Sequence, residues 1–273
     1  MAPARLWRIW RWRFRFFWLA CIDRAGRRAR IRSAQRVERK KDAAAAPDSL
    51  GSVARAENAA PIWQLPNGEG IAGRDLALLV DGKWLNSEII NSYFSLIKVR
   101  SDRLYKNSSS KFRTHCFSSF FYTKLQIAGY EGVRRWTKNI NIFDHDLLLF
   151  PVNHNNVHWS LVAAHLKNHR IEYYDSLLCK SKTKAYIRIM KSVDEYLREE
   201  GANKHSMTSV QNWQLCVVDN IPQQTDGSSC GVFICAYAEH LTRGQSPPFY
   251  FSSSDIYNIQ AKMTTQMLRG FIP

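Results

Sequence analysis

The sequence lacks the features that would commit it to metal, phosphate or membrane chemistry. It has no paired CxxC zinc motif, no glycine-rich phosphate-binding loop and no internal repeat. No apolar run approaches the roughly 20 residues that a helix needs to cross a bilayer, and the first such run, residues 14–22, is short and interrupted by Arg15. We therefore expect no transmembrane segment, no cofactor and no metal.

Cysteines are few and show no framework of pairs. Six are scattered over 273 residues. In a chain of this size, such scattered cysteines are typical of a reducing compartment. We predict that they are free thiols.

Acidic residues are also scarce, with 23 Asp and Glu against 39 Lys and Arg, for a net charge of +16. Most of the excess lies between Arg5 and Lys41, followed by an alanine-rich stretch. Little apolar periodicity is present to offset the entropy of ordering, so residues 1–70 are predicted to form a basic, disordered tail. The charge predicts weak contact of this tail with nucleic acid or another acidic surface; nuclear import, membrane-surface binding and mitochondrial targeting are alternatives.

Residues 71–273 have the alternating apolar and polar texture of one packed domain. Apolar patterns predict strands over 147–152, 158–166, 170–176 and 213–218. Caps and helical spacing predict helices over 87–99, 183–199, 230–244 and 254–268. Because helices and strands are mixed without a regular βαβ alternation, the predicted fold class is α+β.

Cys230 follows a polar turn, residues 221–229, and begins an apolar helix. The unpaired N–H groups and the positive dipole end of a helix stabilise a thiolate over a thiol. The small Gly231 beside the sulfur is expected to let a substrate backbone approach closely. A lone cysteine at a helix start is more often an ordinary buried side chain, so a nucleophile requires partners.

His158 and Asp175 are the predicted partners. A thiolate needs an imidazole to complete an ion pair and to protonate the leaving amine, and the imidazole needs a carboxylate to fix its tautomer. If the strands over 158–166 and 170–176 pair as a hairpin, these two residues lie near the same end. Gln224 is placed to donate an amide N–H to an oxyanion, together with the backbone N–H of Cys230.

His154 and His158 have the i, i+4 spacing of a metal-binding pair. No third ligand lies at a suitable spacing, and the segment is predicted to be a loop followed by a strand. A metal site is therefore not predicted here.

These residues and their surroundings resemble the ubiquitin-like-protein-specific cysteine proteases, in particular the SUMO (sentrin) protease branch. The similarity rests on the order His, Asp, Gln, Cys, and it extends over about residues 70–273. The motifs are His-Trp at 158–159, Tyr-Asp-Ser at 174–176, Pro-Gln-Gln-x-x-Gly-Ser-x-Cys-Gly at 222–231, Trp-Leu-Asn at 84–86, Phe-Phe-Tyr-Thr-Lys-Leu at 120–125, Ala-Gly-Tyr at 128–130, Arg-Trp-Thr-Lys at 135–138 and Asn-Trp-Gln-Leu at 212–215.

The resemblance implies a papain-like fold in which the catalytic order is His-Asp-Cys. It assigns the triad to His158, Asp175 and Cys230, and the oxyanion-hole donor to Gln224. The family also flattens the Gly-Gly tail of its substrate between two indoles.

The two indoles correspond by motif to Trp84 and Trp159. Two facing aromatic plates leave room for glycine only. Two positions depart from the family pattern, since Ser87 and Ser229 each stand where the family commonly has aspartate. Ser87 removes a carboxylate that faces the modifier, and Ser229 changes the hydrogen bonding of the loop before the nucleophile.

The function implied by the resemblance is that of a thiol protease and isopeptidase which cleaves after the C-terminal Gly-Gly of SUMO, both in precursor maturation and in deconjugation from target lysines. SUMO precursor and SUMO-conjugated proteins are the expected partners of a monomeric enzyme in the nucleus, with the cytoplasm as a second location. Two alternatives stay open: a protease for NEDD8 or ubiquitin, and a non-enzymatic adaptor that binds a modifier or, through the basic tail, nucleic acid.

Overall fold

The computed structural model describes residues 63–64, 70–79, 83–110, 112–204 and 212–273. Apart from residues 225–227, which are grouped separately, the described residues belong to one compact unit. Most of the predicted tail, residues 1–62 and 65–69, lies outside the described residues. The tail therefore stays a prediction.

A mixed five-stranded sheet forms the centre of the described unit. Its middle strand runs antiparallel to the strand on either side, whereas both edge strands run parallel to their neighbours. In spatial order the strands are β3 (Thr114–Cys116), β4 (Leu147–Asn153), β5 (Trp159–His165), β6 (Arg170–Tyr174) and β7 (Gln214–Val217). A separate antiparallel pair, β1 (Trp63–Gln64) and β2 (Gly70–Ile71), lies at the predicted boundary between tail and domain.

Helices pack around this sheet. They are α1 (Gly73–Leu76), α2 (Ser87–Lys106), α3 (Ser119–Val133), α4 (Thr183–Asn203), α5 (Cys230–Thr242) and α6 (Ile256–Arg269). Short 3-10 turns lie at Ala77–Leu79, Arg134–Thr137, Ile142–Asp144, Lys180–Lys182 and Ser253–Asp255. Within the described part of the chain, none of the helices combines the length and the apolar character needed to span a bilayer.

Both faces of the sheet are covered. Leu147 and Leu149 of β4 share one core with residues of α2, α5 and α6, while Leu148 and Phe150 share another with residues of α3 and α4. Successive side chains of a strand point to opposite faces, so a strand buried on both sides must be apolar throughout. This accounts for the continuous apolar run in the sequence, and the α+β class is confirmed.

The helix that begins at Cys230 is the most deeply buried of the set. Eleven residues of α5, including both ends of its first turn, are buried, and the helix packs against α2 and β5. Arg100 of α2 and Glu239 of α5 form a buried ion pair at 2.7 Å. A rigid core helix therefore carries Cys230.

The helix starts were predicted better than the helix ends. Asn86 caps α2 by accepting a hydrogen bond from the Ile89 N–H at 3.1 Å, but the helix continues past the predicted end at residue 99. The predicted end of α4 before Gly201 is wrong, because Gly201 is buried inside the last turn, where packing outweighs its low helix propensity. Helix α3, which is bent at Gly129 with φ of 59°, was not predicted.

Candidate active site

The sheet register brings His158 and Asp175 together. Strands β5 and β6 are antiparallel with Leu161 opposite Tyr174, so the residue before β5 and the residue after β6 lie at the same end of the sheet. His158 Nε2 lies 2.7 Å from Asp175 Oδ1. The two side chains are only 14% and 4% exposed, so the pair is shielded from water.

Asp175 is held by donors on both carboxylate oxygens. Besides His158, the Leu177 N–H donates to Oδ1 at 2.8 Å, and the Tyr173 hydroxyl donates to Oδ2 at 3.1 Å. Burial raises the pKa of this carboxyl, but the hydrogen bond and charge of His158, with the Leu177 N–H, outweigh burial and lower the pKa below its ordinary value. Asp175 is therefore ionised at neutral pH.

Cys230 is the first residue of α5 and is 4% exposed. It lies at the end of the helix where backbone N–H groups have no partner within the helix and the dipole is positive. Ser229 precedes it, and its carbonyl accepts the Phe233 N–H at 3.0 Å, which closes the first turn. The thiol thus occupies a site that favours negative charge.

The imidazole of His158 links the two groups. Burial by itself lowers the pKa of His158, but hydrogen bonds and charges from Asp175 and Cys230 outweigh it and raise the pKa to about 9. Nε2 is taken by Asp175, and Nδ1 is a buried atom. Nδ1 is therefore the ring nitrogen that remains to face the thiol.

Gln224 lies beside the triad with its amide orientation set by a neighbour. The Ser176 hydroxyl donates to Gln224 Oε1 at 2.6 Å, and the Gln224 backbone N–H donates to the Ser176 carbonyl at 2.9 Å. Because the amide oxygen is held by a donor, the NH₂ group points to the other side. The side chain is buried and well defined.

The preceding glutamine has a role that the sequence analysis missed. Gln223 Nε2 donates to the Asp175 carbonyl at 3.1 Å, and its Oε1 accepts the Leu178 N–H at 3.0 Å. It therefore ties the loop before the nucleophile to the loop that follows the carboxylate. The adjacent glutamines at 223–224 were the available signal. The pattern does not show which of the two connects the loops and which donates to an oxyanion.

The two tryptophans have opposite exposures. Trp84 is 48% exposed, whereas Trp159 is 6% exposed and donates its indole N–H to the Leu85 carbonyl at 2.9 Å. The Trp159 indole is therefore buried and held in place by a hydrogen bond. The Trp84 indole lies at the surface, one residue before Leu85, whose carbonyl accepts that bond. The segment that carries Trp84 is tied directly to Trp159.

Gly231 has a different neighbour from the one expected. A Cβ added at Gly231 would lie 2.9 Å from Leu85 Cβ and 3.2 Å from Leu85 Cγ. The space beside the start of α5 is thus filled by Leu85, which is itself buried. The glycine permits close packing of the Trp84–Leu85 segment, in place of the close approach of a substrate that the sequence suggested.

Metal ligation finds no support in the described residues, where no group of three or more His, Cys, Asp or Glu side chains could hold an ion. Cysteines 116, 179, 216, 230 and 235 are free thiols, as predicted, while Cys21 lies outside the described residues.

Comparison with known proteins finds related sequences. Residues 83–270 match the model of the Ulp1 protease family, C-terminal catalytic domain. Sentrin-specific protease 3 of Mus musculus is 33% identical over 193 residues, which are 71% of this chain and 31% of that protein. Sentrin-specific protease 5 of Homo sapiens is 36% identical over 193 residues, 71% of this chain and 23% of that protein. The chain thus spans less than a third of the length of these curated relatives.

Solved structures show the same fold. The C-terminal Ulp1 protease domain in complex with Smt3, the yeast ortholog of SUMO, superposes with a TM-score of 0.67 at 27% identity, over 82% of this chain and 96% of that one. The SUMO protease Ulp1 with its catalytic cysteine oxidised to a sulfonic acid gives 0.66 at 28% identity, over 81% and 92% of the two chains.

Proposed function

The chain belongs to the Ulp1 protease family, and from that membership we propose that it is a thiol protease and isopeptidase that cleaves after the C-terminal Gly-Gly of SUMO. Its substrates are the SUMO precursor, which it matures, and SUMO-conjugated proteins, from whose lysines it removes the modifier. The observation that carries the proposal is the His158–Asp175 pair at 2.7 Å beside a cysteine that begins a buried helix.

In this mechanism Cys230 is the nucleophile and His158 the proton carrier. A pKa of about 9 keeps the imidazole protonated at neutral pH, and an imidazolium of this kind stabilises the thiolate form of a neighbouring cysteine. The thiolate attacks the glycine carbonyl, the imidazolium gives its proton to the leaving amine, and water then releases the acyl group with His158 as base. Asp175 fixes the ring and stabilises its charge.

Gln224 supplies the oxyanion donor in the same scheme. Ser176 holds the amide oxygen at 2.6 Å, and this contact supports an orientation in which Nε2 donates to the tetrahedral intermediate with the Cys230 backbone N–H. Donors fixed before the reaction need no reorganisation as charge develops.

Trp84 and Trp159 form the glycine-selective part of the proposal. The hydrogen bond from the Trp159 indole to the Leu85 carbonyl holds the segment that carries the exposed Trp84 indole next to the buried Trp159 indole. A tail laid between them is accepted only where its residues lack a Cβ. Ser87, the first residue of α2, follows this segment, and its lack of a carboxylate favours a different set of modifier contacts from that of relatives with aspartate there.

The test combines cleavage with labelling. The full chain is incubated with SUMO precursor and with a SUMO-conjugated protein, with Cys230→Ser alongside. We expect both substrates to be cut by the parent chain, and the variant to bind SUMO without cutting. SUMO, NEDD8 and ubiquitin carrying a C-terminal electrophile then compete for Cys230. Preferential labelling by NEDD8 or ubiquitin would show that this modifier is the substrate in place of SUMO.

The remaining parts of the proposal concern the whole protein. We infer a monomer that resides in the nucleus, with the cytoplasm as a second location, and a basic tail that makes weak contacts with nucleic acid or acidic surfaces. Binding of that kind weakens steeply with salt. Cleavage that survives deletion of residues 1–62, with salt-sensitive DNA binding lost, is the expected result; an adaptor role alone predicts no cleavage in either chain.

A further inference from the structure

A second histidine lies against the proposed catalytic one. The rings of His154 and His158 are stacked, with centroids 5.5 Å apart and planes inclined by 27°. Burial and the neighbouring charge of His158 lower the pKa of His154 to about 4, so its imidazole is neutral at physiological pH. The mechanism above has no step for this ring.

His154 is joined to Asp175 through the Tyr173 hydroxyl, with the Ser160 hydroxyl beside it. His154 Nε2 lies 2.7 Å from Ser160 Oγ and 3.5 Å from the Tyr173 hydroxyl oxygen. The Tyr173 hydroxyl reaches Asp175 Oδ2 at 3.1 Å. Ser160 and Tyr173 are fully buried, so this path is shielded from solvent.

The donors of this path run in one direction. A carboxylate only accepts, so the Tyr173 hydroxyl donates to Asp175 and accepts at its oxygen. The Nε2–H of His154 is then shared between this oxygen and the Ser160 hydroxyl oxygen. Hydrogen bonds aligned in this way strengthen one another, and the chain ends at the carboxylate.

We propose that His154, Ser160 and Tyr173 are positioning residues that hold the Asp175 carboxylate against His158 and so support the Cys230–His158 ion pair. The inference rests on the proposed function, since it assigns these residues to the same triad. His158 and the Leu177 N–H both bind Oδ1, and a carboxylate held at one oxygen can rotate. The Tyr173 hydroxyl at Oδ2 holds the other oxygen and prevents that rotation.

The phenol groups near Asp175 are uncharged in the range that matters. Burial raises the pKa of Tyr237 in α5 and of Tyr186 in α4, and the nearby charge of Asp175 raises both further. The charge of Lys182, which precedes α4, contributes to the lowered pKa of His154. Between pH 6 and 9.5 these phenols therefore stay neutral, whereas His158, with its pKa of about 9, changes charge.

The test uses the reactivity of the thiol without any SUMO. Cys230 of the full chain is alkylated with iodoacetamide at pH 6.5 and at pH 9.5, and peptide mass spectrometry separates it from the other thiols. An ion pair keeps the rate high at pH 6.5, whereas an isolated thiol reacts only at high pH. The ratio of the two rates therefore reports the support that Asp175 gives to His158.

Tyr173→Phe and His154→Leu break the chain at two points. We expect each to lower the pH 6.5 to pH 9.5 rate ratio by about tenfold, and the double variant to lower it no further than the larger single effect. His154→Gln, which keeps a donor at the position of Nε2, is expected to restore most of the ratio. Tyr174→Phe removes a buried hydroxyl of the same strand that bonds to Glu172, and this control should leave the ratio unchanged.

The outcomes separate the two claims. His158→Ala sets the ratio of a thiol without its ion pair, and a parent chain no better than this variant overturns the proposed function itself. A high parent ratio that Tyr173→Phe and His154→Leu leave intact overturns the positioning chain alone. His154 lies in the loop between β4 and β5, so its variants carry the test if Tyr173→Phe fails to fold.

Discussion

The charge of a histidine in this protein is decided by its immediate neighbours. His158 and His154 are stacked and both are largely buried, and burial alone lowers the pKa of each. His158 gains a carboxylate at 2.7 Å and a thiol, whereas the Nε2 of His154 meets the Ser160 hydroxyl. One ring has its pKa raised to about 9 and the other has its pKa lowered to about 4, so only His158 can deliver a proton at neutral pH.

Asp175→Asn tests this balance, because it removes the charge and keeps the shape. Because the pKa of His158 is raised to about 9, its ring stays protonated up to about that pH. Activity in the parent chain should therefore be lost as the pH rises through that value. In the variant, the charge of Asp175 no longer opposes the effect of burial, so the pKa of His158 falls. We expect the alkaline limb of kcat/KM to move to lower pH and kcat at neutral pH to fall by roughly 10³- to 10⁴-fold.

A pH profile of SUMO-precursor cleavage checks this expectation. Asp194→Asn is a matched control, since that carboxylate pairs with Arg198 on the surface of α4. An alkaline limb that stays in place in Asp175→Asn would show that a group other than His158 sets it.

At the scale of elements, the site depends on how the Trp84–Leu85 segment docks on the start of α5. Leu85 is buried against Gly231, and its carbonyl accepts the Trp159 indole N–H. Three segments remote in the sequence therefore meet at one residue. If Leu85 moves, the position of Trp84 relative to Trp159 and Cys230 changes.

Gly231→Ala should displace this segment. The new methyl group would lie 2.9 Å from Leu85 Cβ, which is too close for either backbone to remain in place. Overpacking of this kind costs about 1–3 kcal/mol of stability. We expect a higher KM for SUMO precursor together with a lower urea midpoint.

The control for that variant is Gly227→Ala. An added Cβ at Gly227 meets no described atom within 4 Å, so both measured quantities should stay near the parent values. Equal effects of the two substitutions would contradict the packing explanation and implicate the flexibility of the loop.

At the scale of the whole molecule, one buried ion pair joins the helix that follows the Trp84 segment to the helix that carries Cys230. Arg100 of α2 bonds both carboxylate oxygens of Glu239 in α5 at 2.7 Å, and Arg243 adds a second contact. The Arg100 side chain is 2% exposed. Removing one partner of a buried pair leaves the other charge uncompensated.

Arg100→Met should therefore destabilise the fold by about 3 kcal/mol, measured by urea unfolding. Lys98→Met on the same helix breaks a half-exposed pair with Asp102 and should cost less than about 1 kcal/mol. Equal losses of stability in the two variants would mean that Arg243 alone is enough to compensate the charge of Glu239.

Acid stability should be limited by a partly buried histidine far from the catalytic residues in the sequence. Burial, with nearby positive groups, lowers the pKa of His115 to about 3. The unfolded chain accepts this proton near pH 6.5 and the folded chain does not, so stability falls as the pH drops below 6.5. We expect a loss of about 2 kcal/mol from this residue between pH 7.5 and pH 5.

Urea unfolding at the two pH values measures this loss. His115→Phe keeps an aromatic ring beside Phe117, with which His115 packs edge to face, and removes the titration. The pH dependence should shrink in that variant. A dependence of the same size would assign the acid sensitivity to His145 or His154, whose pKa values are also lowered.

Much of the fold could be predicted because its central elements carry local signals. The apolar run of β4 and the capping Asn86 of α2 are readable from neighbouring residues alone. Helix α3 was missed because Gly129 interrupts its pattern, and the end of α4 was wrong because tertiary packing buries Gly201. Propensity is a weak guide where packing decides.

The sequence by itself determined which side chains are available for chemistry and in which order they occur, because the nucleophile, imidazole, carboxylate and amide are local features of short motifs. Only the tertiary structure decided the antiparallel register that joins His158 to Asp175, the brace from Gln223 and the occupation of the space beside Gly231 by Leu85. These contacts join residues far apart in the chain. Their energies depend on distances of a few ångströms, and spacing along a sequence does not specify such distances.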